Sequence, residues 1–398
     1  MDQAAQAAQG EGAHEAHGIG PGEIQARIGR LREALRERGM PALLAIGSSF
    51  YDRPGPVAYL SGHFPPFPNS AFGGAARGLG HACILVPAEG EPTLLVDGRG
   101  YRRDLVALPD VRLSNDFVGA LAGLLREHGL ATATVGLAGE DIFPLALYRD
   151  LAAELPQLRL ERAEEVLNRL RAVKSPAELA LLRGAAAIAG VGLRAALDAL
   201  RPGATERDVC AAGAAAALAA GADFVRYLRV HSGPWSGGGS RWPQATERAL
   251  AEGDVVVLDI IGAYRGYAFD VNRTTVVGAA SAEDRRFLEA GHAATEAAVA
   301  AARAGAAIGE VVEAGRRAVA EAGYPELAPS GAGHAIGLET VELPYLSAGS
   351  AERLVAGMVL CIEPSIFVPG RIGCAIEQEV VVTEDAPEVL TTFPTRLW

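Results

Sequence analysis

Between Val255 and Thr275 the chain reads VVVLDIIGAYRGYAFDVNRTT. Two β-branched, apolar runs flank a Gly-containing turn, the signature of a β-hairpin. A two-residue loop at Tyr264-Arg265, or a four-residue loop over 263–266, sets Asp259 directly opposite Asp270. Directly opposed residues share a face, with Cβ atoms roughly 4.5–5.5 Å apart. Both carboxylates sit in apolar sequence, and unpaired burial of either costs several kcal/mol. A metal cation between them is the simplest remedy. The alternative is one Asp in a turn and one on a solvated edge, which a three-residue loop would produce.

The surrounding chain can carry such a site. Its 398 residues are enough for two or three domains with a full core. A composition of 49% hydrophobic and 21% charged residues is that of an ordinary globular protein. The net charge of −12 argues against nucleic acid as a partner. No apolar run is read as a membrane span, so no membrane partner is expected. The first 22 residues, MDQAAQAAQGEGAHEAHGIGPG, have neither the basic start nor the apolar core of a secretory signal. They read as a disordered tail in which His14 and His17 are incidental. Cys83, Cys210, Cys361 and Cys374 lie in apolar contexts without metal-site spacing, as free thiols of a cytoplasmic protein would.

Three segments follow in order: a tail over 1–20, an α/β domain over 21–163 and an α+β domain over 164–398. In the first domain, helical periodicity over Glu23–Arg38 is followed by strands at Ala42–Ile46, His81–Val86, Thr93–Val96 and Thr134–Leu137. Helices are expected at Phe117–His128 and Phe143–Leu155. A Pro- and aromatic-rich loop spans 51–80, with a short element at Val57–Gly62. Ser175-Pro-Ala-Glu178 is a capping box opening a long Ala-rich helix to about Leu200. Thr205 starts a second helix, Phe224–His231 is a strand and Ser232–Ser240 a mobile loop. After the hairpin come helices Ala282–Gly305 and Gly309–Gly323, then a Gly-rich return at Ser330–Gly337. Strands follow at Met358–Ile362, Ile366–Val368 and Cys374–Val382. Two helices followed by strands thus occur twice, which suggests a duplicated α+β core.

Three more residues join the two aspartates. His334 lies in Gly-Ala-Gly-His-Ala-Ile-Gly, where glycines let backbone crowd a ligand. Glu363 and Glu377 are each flanked by strand-like apolar residues. Four carboxylates and one imidazole suit hard or borderline divalent ions such as Mn, Fe, Co or Zn. Two bridging carboxylates would hold two ions, with a hydroxide trapped between them at neutral pH.

The order and contexts of these five resemble the pita-bread metallopeptidases: aminopeptidase P, prolidase, creatinase and methionine aminopeptidase. The resemblance is carried by Gly266-Tyr-x-x-Asp270-x-x-Arg273-Thr, Gly333-His334-x-Ile-Gly-Leu-Glu, and Gly357-Met-Val with Ile362-Glu363-Pro and Ile376-Glu377. The intervals Asp259 to Asp270, His334 to Glu363 and Glu363 to Glu377 are 11, 29 and 14 residues, as in that family. Tyr59-Leu-Ser-Gly and Val173-Lys-Ser-Pro-Ala-Glu resemble its creatinase-type N-terminal domain and linker helix. The resemblance implies a C-terminal pita-bread domain of duplicated halves and a homodimer. It also implies hydrolysis of a C–N bond in a short peptide or small molecule by a metal-bridged hydroxide. Two divalent ions would serve, Mn first and Co, Fe or Zn as alternatives. Asp259 and Glu377 would bridge them, Asp270 would take one, and His334 and Glu363 the other. Glu363 would also pass a proton from the bridging water to the leaving group.

Three departures bear on substrate. The peptidases carry a His seven residues after the metal His, where this chain has Val341. They carry another before a Pro-Thr-Asp-Arg-like segment, where Trp242 or Pro243 stands. Their Arg two residues before the last Glu is Ala375 here. His231, Arg241 and Trp242 are candidate replacements, and His63, through the dimer, is another. The lost histidines motivate an alternative: a metal-dependent lyase, or a non-peptidase hydrolase of a small molecule. A non-catalytic binding module would go with lost metal ligands, and all five are present.

Overall fold

The computed structural model describes residues 18–66 and 77–398. Most of the expected tail, with His14 and His17, and residues 67–76 of the Pro/aromatic loop lie outside the described residues. The chain divides into two compact units, Met1–Arg171 and Ala172–Trp398.

The first unit is a six-stranded mixed sheet with helices packed on it. Its strands are β1 (Ala42–Gly47), β2 (Ala82–Pro87), β3 (Thr93–Asp97), β4 (Asp110–Ser114), β5 (Thr134–Ala138) and β6 (Arg159–Arg162), in the order β4-β3-β2-β1-β5-β6. β1 and β2 are buried at every position because they are apolar throughout. β3 is buried as well, its polar ends Thr93 and Asp97 being hydrogen-bonded to Asp110 and to Gly80 N and Arg99. β4 and β6, read DVRLS and RLER, are the two edges and were not foreseen. β6 carries charge on both faces, and β4 alternates over only five residues with Asp110 and Arg112 on one face, so neither offers an apolar run. Helix α1 is Pro21–Glu37; the short element near Val57 is helix α2 (Gly55–Ser61), ended by Gly62 at φ 76°. The remaining helices are α3 (Phe117–Glu127), capped by Asp116, α4 (Leu145–Glu154) and α5 (Glu164–Ala172).

The second unit repeats one plan. Helices α6 (Pro176–Ala199) and α7 (Glu206–Ala219) precede a three-stranded antiparallel sheet, β7 (Phe224–Ser232), β8 (Val255–Tyr264) and β9 (Tyr267–Val276). Helices α8 (Ala282–Ala301) and α9 (Ile308–Glu321) then precede β10 (Gly331–Ala335), β11 (Glu342–Ser347), β12 (Val359–Ile362), β15 (Gln378–Val381) and β16 (Glu388–Val389). These form an antiparallel sheet in the order β11-β10-β12-β15-β16, with β13 (Ile366–Val368) and β14 (Ile372–Cys374) as a separate ribbon. The expected strand Cys374–Val382 is therefore broken, and Glu377 sits at the break. The capping box of α6 is present: Ser175 Oγ accepts from Glu178 N at 3.2 Å, and Glu178 accepts from Ser175 N at 3.0 Å. Contrary to the sequence expectation, α6 is apolar and long enough to cross a membrane, at mean hydropathy 1.5. Half of that stretch is buried and it packs on α7, β8 and β9, as a core helix does.

Two local expectations change. The β8–β9 loop is Arg265-Gly266, at φ 50° and 80°, a turn that matches strand twist. Tyr264 therefore pairs with Tyr267, Asp259 with Asn272, and Asp270 with Ile261. The register differs by two from that expected. A slip of one would have turned Asp270 to the other face; a slip of two keeps both aspartates together. The segment Ser232–Ser240 is not a loose loop, since residues 233–238 wind a 3-10 turn with Ser236 and Gly237 buried. A Cβ on Gly237 would lie 2.2 Å from Val368 O and 2.9 Å from Ile372 N. Both are backbone atoms and cannot swing away. Gly237→Ala is expected to destabilise the second unit by about 1–3 kcal/mol, read as a lower urea midpoint at unchanged slope.

Candidate metal centre

Strand alternation builds one wall of the site. Tyr227, Arg229 and His231 on β7, Val257, Asp259 and Ile261 on β8, and Asp270 and Asn272 on β9 all face one cavity of about 720 Å³. The facing sheet supplies His334 from β10, Glu363 just past β12 and Glu377 just before β15. Backbone stitches hold the two walls together. Asn272 N donates to Glu377 Oε2 at 3.0 Å, Glu377 N donates to Asn272 O at 3.1 Å, and Asp270 N donates to Glu379 Oε1 at 2.9 Å. Arg273, fully buried, clamps the same junction through Asn272 O, Glu377 O, Gln378 Oε1, Phe393 O and Pro394 O.

The five expected residues converge. Oxygens of Asp259, Asp270 and Glu377 lie within 4.8 Å of one another. His334 Nε2 stands 3.8 Å from Asp270 Oδ2 and 3.6 Å from Glu363 Oε1. His334 Nδ1 is 3.0 Å from Ala335 O. A proton on Nδ1 donates there and leaves the Nε2 lone pair toward the carboxylates, as in a metal-ligating histidine. Donors fix one oxygen of three carboxylates. Arg229 Nη1 holds Asp259 Oδ2 at 2.5 Å, and Asn272 Nδ2 holds Glu377 Oε2 at 2.6 Å and Glu363 Oε2 at 3.2 Å. Asp259 Oδ1, Asp270 Oδ1 and Glu377 Oε1 are buried without a hydrogen-bond partner. Oxygens left in this way fit a divalent cation, which is the missing positive neighbour.

Without such a cation the carboxyls resist ionisation. Burial, then the negative neighbours Glu377 and Asp259, pushes Asp270 well above the usual range. Burial, then Glu363 and Asp259, does the same to Glu377. Glu363 is pushed up to about 8, by burial and then by Asp259. Asp259 is also raised by burial, though Arg229 opposes the shift. Burial lowers His334, which favours the neutral, ligating imidazole.

Sequence reasoning missed Arg229, Asn272 and Glu379. Asn272 and Glu379 each lie two residues beyond an expected ligand in sequence, and Arg229 pairs with Asp259 across β7–β8. Extending the strand register to β7 would have found Arg229. Of the other candidates, His231 lines the cavity with Nε2 3.1 Å from Pro243 O, and Val341 and Ala375 also line it. Trp242 and Arg241 need correction, since neither lines the cavity. Trp242 is 88% exposed, and Arg241 turns its Nε to Gly238 O at 2.6 Å. His63 belongs to the first unit, where burial pushes it down to about 4.

Comparison with known proteins identifies the family and the fold. Residues 180–384 match the model of metallopeptidase family M24, and residues 27–173 that of the creatinase/prolidase N-terminal domain. The chain is 36% identical over 329 residues to a probable dipeptidase PepE of Mycobacterium tuberculosis, covering 79% of this chain and 84% of that one. The crystal structure of dipeptidase PepE from Mycobacterium ulcerans superposes with a TM-score of 0.78 at 31% identity, over 95% of this chain and 98% of that one. The Xaa-Pro dipeptidase from Bacillus anthracis gives 0.80 at 26%, over 94% and 99%. With both domains matched and the carboxylate–imidazole cluster in place, this chain belongs to metallopeptidase family M24, as a metallohydrolase with a creatinase-type N-terminal domain and a pita-bread C-terminal domain.

Proposed function

We propose that this chain hydrolyses a C–N bond, peptide or amide, in a short peptide or similarly small substrate. The observation that carries the reading is the cluster of Asp259, Asp270, His334, Glu363 and Glu377, with three unpartnered oxygens, on the wall of a substrate-sized cavity. The three relatives named above are all dipeptidases by name, and none supports the lyase alternative. Two divalent cations there, Mn first and Co, Fe or Zn as alternatives, would polarise the scissile carbonyl and acidify a water.

The chain's own groups divide the remaining work. Asp270 is near both Asp259 and His334, whereas Asp259 is turned toward Arg229. That favours Asp270 and Glu377 as the shared carboxylates, with Asp259 on one cation and His334 and Glu363 on the other. It replaces the expectation that Asp259 bridges. Glu363 is the most open acid of the cluster, its side chain 27% exposed against 4% for Asp259 and 8% for Asp270. It can therefore take a proton and hand it to a leaving amine. Tyr227, Val257, Ile261 and Phe367 line the rest of the cavity. A homodimer in the cytoplasm completes the reading; the four free cysteines support the reducing compartment.

Purified protein loaded with Mn or Co should release free amino acids from a panel of Xaa-Pro and other dipeptides and N-acyl amino acids. Inactivity across the panel with metal bound would overturn the reading. Glu363→Gln is expected to lower kcat by about 10²- to 10⁴-fold. Asp270→Asn relieves repulsion in the metal-free cluster, so the metal-free variant should melt higher, by about 2–4 °C per kcal/mol gained. The same variant should lose most of the Mn-induced rise in melting temperature seen in the parent.

A further inference from the structure

Arg229 occupies an unusual place for a cation. It lies directly opposite Asp259 across the β7–β8 ladder, with Nη1 2.5 Å from Asp259 Oδ2. The guanidinium is fixed from other sides as well. Nε donates to Gln244 Oε1 at 3.0 Å, Nη2 donates to Tyr227 Oη at 3.1 Å, and Cζ stands 5.0 Å from the centre of the Tyr227 ring. Side-chain exposures are 7% for Arg229 and 4% for Asp259, so solvent screens the pair little. Asp259 thus presents only Oδ1 to the cluster, its other oxygen already held by a fixed positive charge.

Resting on the reading of the cluster as a two-cation site, we propose that Arg229 makes the two positions unequal. A cation bounded by Asp270, His334, Glu363 and Glu377 finds one imidazole and three carboxylates, none of them ion-paired to an arginine side chain. A cation bounded by Asp259, Asp270 and Glu377 either shares Asp259 with the guanidinium or displaces it from three anchoring contacts. A dication and a guanidinium a few ångströms apart repel strongly in a partly desolvated site. The Asp259 position therefore fills second and more weakly, and Arg229 is a positioning residue that sets metal stoichiometry.

The test is a titration of metal-free full-length protein with Mn²⁺ by calorimetry, with electron paramagnetic resonance of free Mn²⁺ as a second readout. The parent should bind two ions in steps separated by about tenfold or more, the scale that one nearby charge sets. Arg229→Met, which removes the charge and keeps much of the volume, should bring the two steps together by strengthening the second. Arg229→Lys should keep them apart. Two equal steps in the parent would overturn this inference while leaving the hydrolase reading intact. So would a folded Arg229→Met protein that keeps the parent's separation. No Mn²⁺, Co²⁺, Fe²⁺ or Zn²⁺ uptake by the parent would overturn the hydrolase reading, and the inference with it.

Discussion

Carboxylates can be packed against one another away from water only if positive charge shares their space. Here Asp259, Asp270, Glu377 and Glu379 are all buried, and Glu363 adjoins them. Two arginines provide part of the compensation. Arg229 faces Asp259, and Arg273 lies behind Glu377 and Glu379 while its donors serve mainly backbone carbonyls. Neither reaches the three oxygens left without partners. Such an arrangement is unfavourable for folding taken alone and favourable for binding dications, and the two statements describe one electrostatic fact.

The fold makes that arrangement possible by dividing it between two halves. Each half packs a helix pair behind a sheet, and each sheet contributes part of the cluster. Within β8 and β9 alternation aims Asp259, Asp270 and Asn272 to one side. On the other sheet, the interruption between β14 and β15 frees Glu377 from ladder pairing and lets Asn272 grip it by both backbone and side chain. The site is therefore as rigid as the junction of the sheets, which suits reactions that depend on fixed charges.

Much of this was legible in the chain. Apolar flanks around Asp259, Asp270, Glu363 and Glu377 mark carboxylates that must be buried, and their spacing marks the family. The hairpin register was misjudged by two because Arg265 adopts a left-handed conformation that its sequence does not advertise. The conclusion survived, since alternation has a period of two. β4 and β6 escaped notice because each is short and broken by charged residues, so neither presents the apolar run that marks the buried strands. The Gly-rich segment after β7 looked loose, yet its glycines permit close packing against Val368 and Ile372. Arg229 and the outward turn of Trp242 depend on neighbours distant in sequence, which a linear reading does not supply.

The account turns on where cations bind, and anomalous diffraction from crystals soaked in Mn²⁺ measures that directly. Peaks are expected in the space shared by Asp270 and Glu377, the stronger beside His334 and Glu363 and the weaker beside Asp259. Anomalous peaks confined to exposed surface acids, with this cluster empty at saturating Mn²⁺, would contradict it.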